Sequence, residues 1–257
     1  MQPSYPLENR VALVTGVSRR IGIGYAIARR LLEFGADVFV QHYSPFDADQ
    51  PWGADDVPAL LAALREIGPR VEAVEADFLD PAAPQTVLDA AAAAYGHIDI
   101  LVANHAYSTG GALPALNAES IDAHLQINVR GTLLLVQAFA AQHDRREGGR
   151  VVMMTSGQAE GPMPDELAYI ASKGALHQLT RSLSAHLIRQ GITVNTVNPG
   201  ATDTGYADDA LREAIAAEAP QGRWGQPADA ARLIGWLATD DARWITGQVI
   251  NSTGGGL

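Results

Sequence analysis

Short apolar runs alternate with longer amphipathic ones along this chain. Residues 11–15, 37–41, 71–76, 98–103, 150–155, 193–197 and 248–251 are brief and rich in Val, Ile and Thr. Runs of that length and composition predict strands, most of them buried on both faces. Between them, residues 24–34, 55–67, 83–95, 118–143, 166–189, 207–218 and 228–238 carry apolar side chains at helical spacing. Gly35, the Gly68-Pro69 pair and Gly96 stand where three of these helices should stop. Strands that alternate with helices in this way predict an α/β fold: one doubly wound parallel sheet of about seven strands, with helices on both faces. No repeat of fixed period and no linker interrupts the pattern, so residues 1–257 are expected to form a single domain. Two connections are long and irregular. Residues 42–54 contain Pro45, Pro51 and Trp52, and residues 157–165 contain Pro162 and Pro164. Loops of that length in a compact domain are often functional.

Composition narrows the function. Hydrophobic residues make up 47% of the 257 and charged residues 18%, enough for a sizeable core. The formal net charge of −11 repels phosphate backbones and anionic lipid, which argues against nucleic-acid and membrane-surface roles. No cysteine is present, so disulfides, thiolate metal sites and cysteine nucleophiles are excluded. The seven histidines show no HxxxH or HExxH spacing, and no metal site is expected. The first ten residues include Pro3 and Pro6 and no apolar run, and the most apolar helical stretch, 132–141, is far short of the roughly 20 residues that span a bilayer. A soluble cytoplasmic protein is the expectation.

One residue stands out against this background. Lys173 is the only lysine among the 18 Lys and Arg residues, and it follows Tyr169 by one helical turn in the run Tyr169-Ile170-Ala171-Ser172-Lys173. Side chains four apart share a helix face, with Cβ atoms about 5–6 Å apart. A cation that close favours a phenolate and would lower the tyrosine pKa from its reference of about 10. Such a phenol would exchange protons near neutral pH. Guanidinium cannot replace a compact ammonium in that role.

A second signal lies at the end of the first predicted strand, in Thr15-Gly16-Val17-Ser18-Arg19-Arg20-Ile21-Gly22-Ile23-Gly24. Glycines there permit a tight turn and let backbone N–H groups at a helix start approach a diphosphate. A dinucleotide site is also read at the end of the second strand, where a carboxylate would accept the ribose 2′-hydroxyl of NAD. This chain has Gln41-His42-Tyr43 there, and no carboxylate before Asp47. Arg19 and Arg20 in the glycine turn could face a 2′-phosphate, which favours NADP over NAD.

With the glycine turn, Tyr169 and Lys173 in this order, the chain resembles the short-chain dehydrogenase/reductases of about 250 residues, which have a Rossmann-type fold. It is similar overall to 3-oxoacyl-(acyl-carrier-protein) reductases. The resemblance implies a catalytic tetrad of Asn128, Ser156, Tyr169 and Lys173, with Ser156 lying 13 residues before Tyr169. Tyr169 would exchange the proton, Lys173 would lower its pKa and bind the nicotinamide ribose, and Ser156 would bind the substrate oxygen. Asn128 would hold a water linking Lys173 to solvent. The cofactor residues implied are Gly16, Ser18, Arg19, Arg20, Gly22, Ile23, His42, Asp77, Phe78, Asn104, Tyr169, Lys173, Pro199, Gly200, Thr202 and Thr204. Arg223-Trp224-Gly225-Gln226-Pro227 and Ile245-Thr246-Gly247-Gln248 match C-terminal landmarks of the family. The implied function is NADPH-dependent hydride transfer to or from a small carbonyl or alcohol, with a 3-oxoacyl thioester among the candidate substrates, in a homo-oligomer (tetramer or dimer). The competing reading is an inactive nucleotide-sensing protein of the same fold.

Two departures from the family pattern bear on the cofactor. Five residues separate Gly16 from Gly22, two more than usual. After the fourth strand, Ala103-Asn104-His105-Ala106 stands where the family has Asn-Asn-Ala-Gly, so His105 replaces a small residue.

Overall fold

The computed structural model describes residues 5–68 and 70–256. The expectations for residues 1–4 and for Pro69 as a helix stop lie outside the described residues. Seven strands form one sheet: β1 (Val11–Thr15), β2 (Asp37–His42), β3 (Val71–Glu75), β4 (Ile100–Ala103), β5 (Gly149–Met154), β6 (Ile192–Asn198) and β7 (Val249–Asn251). Their order is β3-β2-β1-β4-β5-β6-β7, and every neighbouring pair is parallel. The central strands β1, β4, β5 and β6 are buried throughout, including the polar residues Thr193, Asn195 and Thr196 of β6. Edge strand β3 instead turns Glu72 and Glu75 to solvent.

The helices are α1 (Ile23–Glu33), α2 (Ser44–Ala48), α3 (Val57–Arg65), α4 (Ala83–Tyr95), α5 (Ala118–His124), α6 (Thr132–Gln142), α7 (Leu167–Leu187), α8 (Asp209–Glu218) and α9 (Pro227–Ala238). Side-chain caps fix several of their starts: Asp56 accepts the Ala59 N–H, Asn117 that of Ser120 and Asp208 that of Leu211. The helices cover the sheet from both sides. Ile27 and Leu31 of α1 pack with Leu60 of α3 and Ile234 of α9 on one face. Val87 of α4, Phe139 of α6 and Leu176 of α7 fill the other. Each such side chain contributes about 1.5–3 kcal/mol by leaving water. Among the described residues, no helix is long and apolar enough to cross a membrane.

The chain runs from β1 outward to β3 and then crosses back to place β4 on the other side of β1. This reversal opens a crevice beyond the C-terminal ends of β1 and β4, where open α/β sheets bind ligands. The glycine turn follows β1, and Asn104–Tyr107 follow β4, so both reach that crevice.

The helical region expected over 118–143 runs unbroken from Ala118 to Gln142, with residues Leu125–Gly131 widened into a π-helical turn between α5 and α6. Two local readings of the sequence need correction. The strand expected from Ile98 begins at Ile100, since the Gln142 side chain takes both the N–H and the C=O of Ile98. The irregular segment 42–54 contains α2, with Pro45 in the first helical turn, where a missing N–H costs nothing.

Candidate active site

A cavity of about 430 Å³ lies at the crevice. Its first wall is the glycine turn and the start of α1. Gly16 has φ +72°, and a Cβ there would sit 2.8 Å from the His105 Cα. A Cβ on Gly24 would collide with the Gly16 carbonyl. Both positions therefore need glycine, one for backbone conformation and one for close approach. No side chain caps α1 at Gly22, so the first amides of that helix face the cavity lined by Gly22, Ile23 and Gly24. That is a fitting seat for a diphosphate. The Gln41 side chain fixes the turn by accepting the Gly16 N–H (3.0 Å) and donating to the Ala76 carbonyl (2.7 Å). Asn104 secures the other side, with Nδ2 donating to the carbonyls of Thr15 (3.0 Å) and Gly16 (3.2 Å).

The far wall comes from segment 42–54. Tyr43, Phe46, Asp47 and Asp49 line the cavity together with Ser18 and Arg19. The Arg19 guanidinium lies 5.4 Å from the Trp52 ring centre, and Trp52 Nε1–H donates to Asp47 (3.1 Å). Burial raises the pKa of Asp47, against the pull of hydrogen bonds from Trp52 and Ser18 and of the Arg19 charge. Asp77 and Phe78, after β3, also line the cavity, and the Tyr43 pKa is raised by burial and by the neighbouring Asp77.

Of the residues read from the sequence as cofactor residues, Arg20, His42, Tyr169, Lys173, Pro199, Gly200 and Thr202 do not line this cavity. The Arg20 backbone N–H donates to Asp55 (2.6 Å), and its guanidinium donates to the Ala59 carbonyl (2.8 Å), so its side chain lies along α3. His42 points the other way from Gln41 and Tyr43, as strand alternation demands, and its Nδ1 lies 3.6 Å from Glu75. Asp47, five residues beyond the end of β2, is brought to the cavity by α2. In the segment after β6, Thr204 lines the cavity. Pro199 and Gly200 shape the preceding turn, where their carbonyls accept from the buried Thr202 hydroxyl.

The four tetrad candidates gather beside the ends of β5 and α7. Ser156 follows β5, and its hydroxyl is near enough to the Tyr169 phenol, on the first turn of α7, to pull that phenol's pKa down. Lys173 is 2% exposed. Its Nζ donates to the Met154 carbonyl (3.1 Å) and lies 5.6 Å from the Tyr169 ring centre. Burial lowers the Lys173 pKa to about 8. The expected depression of the Tyr169 pKa is not what the structure gives. Burial pushes that phenol up to about 12, the Ser156 hydroxyl pulls it down less, and the Glu166 charge adds to the rise. Tyr169 is a protonated donor throughout the neutral range.

Asn128, in the π-helical turn, is fully buried. Its Oδ1 accepts the Tyr107 N–H (2.7 Å), and its Nδ2 donates to the Tyr107 carbonyl (2.9 Å) and the Ser172 hydroxyl (2.9 Å). Ser172 in turn donates to the Tyr169 carbonyl (2.7 Å). Both amide hydrogens of Asn128 are committed to protein, so its side chain fastens the β4 loop to α7. His124 packs edge-on to Tyr107 (4.8 Å) and Tyr169 (6.3 Å). Gln41, Tyr43, Asp47, Tyr107 and His124 were not legible as site residues in the sequence; the Pro-rich length of segment 42–54 was the only hint of its part.

A cavity at the strand-order reversal, with a glycine turn and a helix start on one wall, is the arrangement of Rossmann-type dinucleotide-binding folds. The family model described as enoyl-(acyl carrier protein) reductase matches residues 16–256. The chain belongs to the short-chain dehydrogenase/reductase family. It is 40% identical to an uncharacterized oxidoreductase of Bacillus subtilis (strain 168), YjdA, over 96% of this chain and 97% of the relative. It is 35% identical to an NADPH-dependent aldehyde reductase-like protein, chloroplastic, of Arabidopsis thaliana, over 99% of this chain and 96% of the relative. The crystal structure of a short chain dehydrogenase from Burkholderia cenocepacia J2315 in complex with NADP superposes with a TM-score of 0.86. It has 37% sequence identity and covers 97% of this chain and 98% of that one.

Proposed function

We propose that this protein is a single-domain, NADPH-dependent reductase of ketones or aldehydes, working reversibly as an alcohol dehydrogenase. The convergence of Ser156, Tyr169 and Lys173 beside the glycine-turn cavity carries the reading. Tyr169 donates the proton to the carbonyl oxygen as it becomes an alcohol, in keeping with a phenol that stays protonated at neutral pH. Ser156 binds and polarises the same oxygen. Lys173 holds a positive charge behind the phenol and is placed to bind a ribose hydroxyl. Asn128 fixes the β4 loop against α7. The nicotinamide, when bound, supplies the hydride. Gly16, Gly22 and the first amides of α1 would hold its diphosphate, Asp77 and Phe78 its adenine, and Ser18 and Arg19 a ribose 2′-phosphate. The absence of a carboxylate at Gln41-His42-Tyr43, the Arg19 side chain in the cavity and the NADP bound to the Burkholderia structure support NADP over NAD. Asp47 is engaged with Trp52 and Ser18 beneath Arg19. The convergence of the chemistry-bearing side chains argues against an inactive nucleotide sensor.

A panel of ketones, aldehydes and alcohols, with a 3-oxoacyl thioester included, tests this at the nicotinamide absorbance with NADPH and NADH. Carbonyl-dependent NADPH oxidation is expected; no turnover with any member would overturn the reading. A cytoplasmic homo-oligomer, tetramer before dimer, completes the proposal. Trp244 is 94% exposed, and Trp236 and Ile188 are also exposed, leaving apolar surface for a second copy to cover. Sedimentation showing only a 27.2 kDa species at micromolar concentration would contradict it.

A further inference from the structure

His105, the residue that departs from the family pattern after β4, is 7% exposed. Both of its ring nitrogens have partners. Nε2 lies 3.2 Å from the Ile127 carbonyl, and Nδ1 lies 2.7 Å from the Thr15 hydroxyl. A carbonyl only accepts, so Nε2 carries the hydrogen, and a neutral ring then offers a lone pair at Nδ1. The Thr15 hydroxyl donates to that lone pair while its oxygen accepts the N–H groups of Asn104 (3.0 Å) and His105 (3.2 Å). The same hydroxyl lies 3.4 Å from the Val102 carbonyl, a second acceptor that would serve a charged ring, but burial lowers the His105 pKa to about 3 and keeps the ring neutral. The ring also packs 4.3 Å from Phe78 and lies 3.4 Å from where a Cβ on Gly131 would stand.

These contacts join three separate stretches of chain. Thr15 precedes the glycine turn. Ile127 precedes Asn128 in the π-helical turn, and Asn128 holds Tyr107 and Ser172. We propose that His105 is a positioning residue, a neutral imidazole strut that fixes the cofactor turn at Thr15 and the Asn128 turn at Ile127 in one register. The strut has two arms. The Nδ1 arm reaches the turn that would seat the diphosphate, and its loss weakens cofactor binding. The Nε2 arm reaches the turn that fastens α7, and its loss slows turnover. This inference rests on the carbonyl-reductase reading for its rate arm alone.

Amide substitutions separate the two arms. In His105→Asn an amide group can stand near Nδ1, but the side chain stops short of Ile127. In His105→Gln an N–H can reach Ile127, but no acceptor remains beside Thr15. His105→Leu fills the space and keeps neither. We expect His105→Asn to keep the NADPH dissociation constant within about threefold and lose about tenfold in kcat, and His105→Gln to show the reverse. His105→Leu should show both losses. All three variants matching the wild type, or all three losing affinity and rate together in proportion to their fall in Tm, would overturn the proposal. Ring-nitrogen NMR of the wild type needs neither substrate nor cofactor. It should show a bare Nδ1 and a protonated Nε2 from pH 5 to pH 8, and an Nδ1–H tautomer, or a ring that titrates in that range, would also overturn it. A wild type that binds NADPH but reduces no carbonyl would sink the reductase reading and leave the affinity and NMR arms to decide the strut.

Discussion

At the Tyr169 end of the groove, the polar side chains are held by neighbours on regular elements: Ser156 at the end of β5, Tyr169, Ser172 and Lys173 on consecutive turns of α7, and Asn128 in the turn facing them. At the Arg19 end the wall is a connection between β2 and α3. Its order comes from a short helix and from contacts such as Trp52 to Asp47 and Arg19 to Trp52. The first end is suited to chemistry, which needs groups placed to within fractions of an ångström. The second is suited to choosing a ligand, since loops vary at little cost to the core. On the proposed function, rate is set at one end and cofactor preference at the other.

The largest effect expected is at the chemical end. Tyr169→Phe should lower kcat by about 10²–10⁴ while leaving folding and NADPH binding nearly intact. Steady-state kinetics beside a cofactor titration checks this, and a near wild-type kcat would remove Tyr169 from the mechanism.

Lys173 gives a pH signature at the same end. Burial lowers its pKa from 10.5 to about 8, so the charge behind the phenol is present below that pH and lost above it. Tyr169, near 12, adds no limb in this range. The rate of carbonyl reduction should therefore fall with an apparent pKa near 8, and a flat profile from pH 7 to about 9.5 would contradict the assignment. The effect on stability has the opposite sign. Between about 8 and 10.5 the unfolded chain binds more protons at this lysine than the folded one, so its contribution to stability rises with pH across that window.

Between the two ends stands Gln41, whose amide ties the glycine turn to the end of β3. Gln41→Leu strands the half-buried Gly16 N–H and Ala76 carbonyl. It should cost about 1–3 kcal/mol in denaturant unfolding and weaken both nucleotides alike. A preference for one nucleotide emerging in this variant would blur the division between the ends.

The chemical end was largely legible in the sequence because its spacing is local. Tyr169 and Lys173 share a helix face, Ser156 closes a strand, and the glycines sit between a strand and a helix. What the sequence misjudged there was an energy: the nearby cation was expected to lower the Tyr169 pKa, but burial raises it and the opposing pull comes from Ser156. The other end was poorly legible because its contacts are not local. Gln41 meets Gly16 across 25 residues, and His105 meets Thr15 across 90. Arg19 and Arg20 are adjacent and look equivalent, yet one faces the cavity and the other lies on α3. The π-helical turn at Asn128 carries no proline to announce it.

The smallest effects belong to the arginines. Arg19→Ala should weaken NADPH about tenfold more than NADH, whereas Arg20→Ala should leave their ratio unchanged. The most direct test of the divided groove measures kcat and the ratio of NADPH to NADH dissociation constants for Tyr169→Phe and Arg19→Ala in parallel with the wild type. The account predicts that Tyr169→Phe loses rate at an unchanged ratio, and that Arg19→Ala changes the ratio at a nearly unchanged kcat. Either variant moving both quantities, or a wild type that binds NADH more tightly than NADPH, would contradict it.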